Sequence, residues 1–227
     1  MKYLLNTFIA IILCVAISQL IVAQAPNDSI KGEVEDQSYL NYVEGSQFNS
    51  TLTYGSFKDA RDGKTYKTIK IGKQTWMAEN LCYKTKKSWS FENKESNDAK
   101  CGRYYDGDDA KTACPEGWHL PSDAEWNELV NYLGGEKEAG GKLKSTVGWK
   151  SPNAGASNIS GFTGLATGFG YTDGRFQRLG EKNRYWSATA NGTDEAWRHG
   201  QRYEYGLSYR ASAGKSTNLF SIRCVKN

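Results

Sequence analysis

The chain has 227 residues, 29 of them Lys or Arg and 25 Asp or Glu, for a formal charge of +4. Only 38% are hydrophobic, which excludes a protein of many membrane spans, because each span needs a long apolar run. Aromatics at 13% exclude a disordered chain, and so small a positive charge gives no ground for nucleic-acid binding.

Residues 1–23 read as a cleavable export signal. Lys2 supplies a basic start, residues 8–17 run without a charge, and Ile21-Val22-Ala23 ends on a small residue. Polar Asn6, Thr7, Ser18 and Gln19 shorten the apolar stretch below spanning length. Cleavage after Ala23 removes Cys14 and leaves Cys82, Cys101, Cys114 and Cys224. In an exported chain these suggest two disulfides, with three possible pairings. The chain has no Cys-x-x-Cys spacing, and only His119 and His199 could assist, so no metal site and no cofactor are expected.

Residues 24–57 are polar and lack a sustained period, which suggests an N-terminal arm or linker. The alternative is an edge strand near residues 50–54. Residues 65–71 then form a β-type run, Gly72-Lys73 follows, and 74–78 continue it, the pattern of a hairpin. A short helix is expected over 108–113, stopping before Pro115. Ser122 and Glu125 make a capping box. Trp126, Leu129, Val130 and Leu133 follow at helical spacing, and Gly134-Gly135 ends the helix. Beyond it the chain is rich in Gly, Ser, Asn and Thr. Strand-like pieces cover 184–189, 196–203, 206–210 and 219–225. The plan is an N-terminal β-hairpin, two helices, a long loop region and antiparallel strands, an α+β domain over 58–227.

Several segments together resemble the Fibrobacter succinogenes major paralogous domain, FISUMP, of exported bacterial proteins. They are the run from Asp62 to Gly72, Gln74-Thr75-Trp76-Met77-Ala78-Glu79-Asn80-Leu81, and Cys114-Pro115-Glu116-Gly117-Trp118-His119-Leu120-Pro121 with its continuation to Trp126. Gly161-Phe162, Tyr185-Trp186-Ser187-Ala188-Thr189 and Ser221-Ile222-Arg223-Cys224-Val225-Lys226 complete the set. The resemblance implies a fold like C-type lectins and formylglycine-generating enzymes. By the same likeness Cys114 pairs with Cys224, leaving Cys82 for Cys101. Loops of these lengths would stabilise by roughly 4–5 and 3 kcal/mol. The family implies no activity. The calcium motifs of sugar-binding C-type lectins are missing, although Asp173, Asp194 and Glu195 could bind calcium in another way. The late redox-active cysteine pair of the formylglycine-generating enzymes is missing too.

Catalysis has little to work with. His119 reads as a structural histidine, and His199, in a strand beside Arg198, as an exposed contact. Adjacent carboxylates such as Asp108-Asp109 would point to opposite faces of a strand. The charge distribution says more. Residues 171–227 carry 10 Lys/Arg against 5 Asp/Glu, whereas residues 24–170 carry 18 against 20. In the basic part, alternation puts Arg198 and Arg202 on one face of an open strand. With Tyr171, Arg175, Tyr203, Tyr205 and Arg210 they form the candidate binding set, because flat rings stack on sugars and guanidiniums grip acidic groups. Trp186 and Trp197 read as core. The expected function is that of a secreted, surface or periplasmic recognition domain with no enzyme activity, binding a glycan, especially an acidic one, or a surface protein. A structural cell-envelope component and a divergent hydrolase or protein-modifying enzyme are the competing readings.

Overall fold

The computed structural model describes residues 36–42 and 44–227, so the expected export signal lies outside the described residues. The domain is mixed, with sheets dominating and helices short. The expected hairpin is present as β2 (Thr65–Ile71) and β3 (Gln74–Met77). Strand β1 (Gly55–Lys58) pairs with the outer side of β2. Residues just before it lie against the domain: Asn49 donates to the Asn158 carbonyl, and Phe48 meets Tyr54 edge to face. Between the hairpin and the first long helix lie β4 (Ser88–Trp89), α1 (Asp98–Cys101), β5 (Tyr104–Tyr105), α2 (Ala110–Ala113) and β6 (Trp118–His119).

Helix α3 (Asp123–Tyr132) starts at the expected capping box: the Ser122 hydroxyl accepts from the Glu125 amide, and Glu125 accepts from the Ser122 amide. A further helix, α4 (Glu136–Leu143), occupies the stretch expected to be loop. Its Gly140-Gly141 pair reads as a helix breaker. The pair instead lets two backbones touch the helix: a Cβ at Gly140 would lie 2.1 Å from the Leu207 carbonyl oxygen, and one at Gly141 2.2 Å from that of Gly155.

The remaining strands are β7 (Thr167–Tyr171), β8 (Phe176–Leu179), β9 (Lys182–Asn191), β10 (Glu195–Arg202), β11 (Ser208–Gly214), β12 (Asn218–Leu219) and β13 (Val225–Lys226). One sheet runs β1-β2-β3-β13-β6, and the other runs β11-β10-β9-β7-β12 with β8 on β7. The segment expected as a single strand over 219–225 is two short strands. Between them Arg223 is buried and turns inward, donating from Nε to Asn80 and from its two Nη groups to the Phe162 and Thr163 carbonyls. Satisfying a buried guanidinium with carbonyls outweighs continuing the ladder.

Two hydrophobic clusters lie around β9. Trp186, Phe169 and Phe220 belong to one, with Tyr66, Trp118 and Ile222. Tyr185, Trp126 and Phe162 belong to the other, with Trp76 and Leu129. A third gathers Leu40, Phe91, Cys101, Tyr104, Leu179 and Leu219.

Cys114, at the end of α2, is disulfide-bonded to Cys224, just before β13, across 110 residues. The second expected bridge is corrected: Cys82 and Cys101 are free thiols. They pack into different clusters, Cys82 against the first and Cys101 inside the third. The Cys82 thiol is directed at the Asp98 carbonyl. Burial raises the Cys101 thiol to about 12.

Candidate functional site

The sheet of β9, β10 and β11 organises the basic part of the chain. Its register places His199 between Tyr185 and Arg210, and Gly200 between Arg184 and Tyr209. Directly opposed residues share a face. One face therefore carries Trp197, His199, Gln201, Tyr185 and Arg210. The other carries Arg198, Gly200, Arg202, Lys182, Arg184, Trp186 and Tyr209. Strand β10 has a partner on each side, so the expected open strand is corrected: the edge is β11.

The first face meets helix α3, and its charges are compensated there. Asp123 opens the helix. Its carboxylate accepts from Arg210 Nε at 2.7 Å and Nη2 at 2.8 Å, and lies 2.9 Å from His199 Nε2. Burial pushes the Asp123 carboxyl upward, but the bonds from Arg210 and His199 outweigh it and hold the acid below its usual range. His199 is only 2% exposed, lies parallel to Trp126 at 5.1 Å, and burial pulls it down to about 4. The expectation of an exposed His199 is thus corrected: it is a neutral core group. Arg210 lies 3.2 Å over the half-buried Trp197 ring. Arg210 is therefore separated from Arg198 and Arg202 by the thickness of the sheet.

On the other face cations meet aromatic rings rather than carboxylates. Arg184 Cζ lies 3.4 Å above the Phe169 ring and 5.4 Å from that of Phe220. Arg198 lies 5.4 Å from the Tyr209 ring and 5.8 Å from that of Phe220. Arg202 lies 5.2 Å from the same Tyr209 ring. Tyr209 crosses the strand at Gly200 and donates to the Asn183 carbonyl at 3.1 Å. A Cβ at Gly200 would lie 2.8 Å from the Tyr209 hydroxyl and 2.3 Å from that carbonyl, so glycine makes this crossing possible. Arg184 Nε and Arg198 Nε and Nη1 are buried and have no hydrogen-bond partner among the described residues. Burial, then the charge of Arg198, lowers the Arg184 pKa. Burial, then Arg202, Arg178 and Arg184, lowers that of Lys182. In both groups burial acts first, and the like charge of neighbouring cations adds to it.

The other expected residues divide. Tyr171 borders the basic face, edge to face with Phe169 at 5.7 Å. Arg175 caps the Tyr171 ring at 5.2 Å, but its charge is answered by Asp173 at 2.7 Å. Tyr203 and Tyr205 lie in the loop after β10, which the buried Lys144 organises. Its Nζ donates to the Ala154, Arg202 and Tyr205 carbonyls at 2.8, 3.0 and 3.0 Å. Tyr203 faces Lys150 at 5.4 Å, and Tyr205 is half exposed. Trp186 is buried, as its sequence position suggested. His119 is held at Nε2 by Glu125 and at Nδ1 by Asn227.

Lys182, Arg184 and Tyr209 were not among the residues the sequence singled out. Reflecting β9 onto β10 through the three-residue turn Gly192-Thr193-Asp194 would have found Arg184, opposite Arg202 and on its face. The register slips between Ala196 and Arg198, because residues 188 and 189 leave the ladder to bond Pro121 and Asp123. The slip sets Arg184 opposite Gly200, between Arg198 and Arg202.

A separate surface cleft of about 840 Å³ lies between the hairpin turn and α3, bordered by Gly72, Lys73, Gln74, Glu128 and Tyr132. It shares no residue with the basic face. Among the described residues no three His, Cys, Asp or Glu side chains gather as metal ligands, and no helix is long and apolar enough to cross a membrane.

The fold and this arrangement define a disulfide-bonded α+β domain with one compensated and one uncompensated basic surface. The chain belongs to the Fibrobacter succinogenes major domain family, whose model matches residues 69–226. No curated protein and no solved structure matches it.

Proposed function

We propose that this protein is an exported, non-enzymatic recognition domain of C-type-lectin-like architecture that binds an acidic glycan. The ligand lies along the face of β9, β10 and β11 that presents Lys182, Arg184, Arg198 and Arg202. The observation that carries this reading is the placement of four cations on one face, the three arginines backed by aromatic rings, with no salt bridge to a carboxylate among the described residues. Sheet surfaces that merely resist aggregation carry scattered charge. Three guanidiniums converging on the Tyr209, Phe220 and Phe169 rings are instead oriented, and an oriented guanidinium is a selective receptor for carboxylate or sulfate. The absence of enzyme activity is argued from the histidines: His119 and His199 are both committed to carboxylates and neighbouring side chains, so neither stands ready beside a nucleophile.

The test is retention of the purified protein on neutral and acidic polysaccharides at low and moderate salt, with and without a chelator. The expected result is saturable binding to acidic polymers alone, weakened by salt and by Arg198→Ala/Arg202→Ala, and indifferent to chelator. Equal retention on neutral polymers, or none on any polymer by a folded sample, contradicts the glycan. Capture of a surface protein instead would move the same face to that class of partner.

A further inference from the structure

We infer that Arg184 and Arg198 form a subsite for a single oxyanion, and that this subsite reads the ligand's acidic group rather than its sugar rings. The inference rests on the basic face being the ligand face and deepens that reading. The rings that would ordinarily stack on sugars are already occupied: Phe169 lies under Arg184, and Tyr209 has Arg198 and Arg202 against it. Their role is to hold guanidiniums. The Nε atoms of both arginines and Nη1 of Arg198 are sealed from solvent without a partner among the described residues. Nη2 of Arg198 makes no hydrogen bond to the described residues, Arg184 has the Tyr209 hydroxyl as its side-chain neighbour, and the outer Nη donors are what the pair offers to a ligand. Two half-buried cations of like sign with sealed inner donors are costly, and an oxyanion at the outer donors offsets that cost. Arg184 pairs with Gly200 and Arg198 with Trp186, so the two arginines are diagonal neighbours on one face, roughly 7–8 Å apart at the backbone and within reach of one anion, and both lie within cation–π range of the Phe220 ring.

Anything that binds only the folded state raises its stability in proportion to occupancy. Thermal unfolding of the purified protein is therefore followed with sodium sulfate, sodium acetate and sodium chloride at constant ionic strength. Sulfate or acetate is expected to raise Tm saturably, by about 4 °C at ten times its half-saturating concentration, while chloride does not. Arg184→Gln is expected to raise the half-saturating concentration at least tenfold, and Arg184→Lys, which keeps charge and stem, by a smaller factor. If the Gln variant fails to fold, the Lys variant decides. An equal rise in chloride means general screening and overturns the subsite, as does an unchanged half-saturation in the variants.

Two further arms separate this claim from the glycan reading. Retention on polygalacturonate and on dextran sulfate tells a carboxylate from a sulfate ligand. Saturable small-anion binding with no retention on either polymer keeps the subsite and removes the glycan. Retention that Arg184→Gln leaves unchanged removes the subsite and leaves polymer binding to Lys182 and Arg202.

Discussion

The two faces of the sheet formed by β9, β10 and β11 use the same residue types to opposite ends. On the face toward α3, Arg210 and His199 share the Asp123 carboxylate, and the charge is closed within the fold. On the other, Arg184, Arg198 and Arg202 rest on aromatic rings with no carboxylate partner among the described residues. A guanidinium on a ring keeps its orientation and its hydrogen-bonding edge, whereas one locked to a buried acid has spent that edge. The difference teaches that cationic residues in a strand mark a binding surface only when the fold leaves them unanswered. It also separates residues whose loss should cost stability from those whose loss should cost recognition.

The largest expected effect breaks the closed face. Asp123→Ala leaves the buried His199 without its carboxylate partner and frees the exposed Arg210 to water, and should destabilise the fold by about 2–3 kcal/mol in urea unfolding. Lys144→Met leaves three carbonyls without their donor and should cost about 2 kcal/mol. It should also weaken ligand binding, because one of those carbonyls belongs to Arg202.

Acid acts on the same closed face. The folded His199 pKa, about 4, lies below its ordinary value near 6.5, so the unfolded chain takes up the proton first. Stability from this residue is complete above pH 6.5 and is lost as pH falls to about 4, up to about 3 kcal/mol in denaturant titrations across that window. A flat profile there would contradict a buried neutral His199. Smallest is Arg184→Gln on the open face, expected within about 0.5 kcal/mol of wild type or slightly stabilising. A loss above about 2 kcal/mol would show that Arg184 is structural, like Arg223.

Local chemistry made much of this fold legible. The β2–β3 hairpin and the capping box at Ser122 are determined within a few residues, and both appear where their sequences place them. What was not legible depends on distant partners. Helix α4 hides behind Gly140-Gly141, which only the neighbouring Leu207 and Gly155 backbones explain. The break in 219–225 exists because Arg223 reaches the Phe162 and Thr163 carbonyls. Alternation correctly set Arg198 and Arg202 on one face, but it could not tell that Arg210 lies behind the sheet. Nor could it reveal that the slip after Ala196 brings Arg184 between them. Cys82 and Cys101 show the limit of counting cysteines, since the clusters that receive their side chains leave each thiol unpaired.

The most direct test compares one arginine from each face. Affinity for an acidic polysaccharide is measured for Arg202→Ala and Arg210→Ala, both at a temperature where circular dichroism shows them folded. The two-face account predicts that Arg202→Ala weakens binding about tenfold and flattens its salt dependence, while Arg210→Ala lowers Tm but leaves affinity within about twofold. Equal losses, or a loss confined to Arg210→Ala, would contradict it.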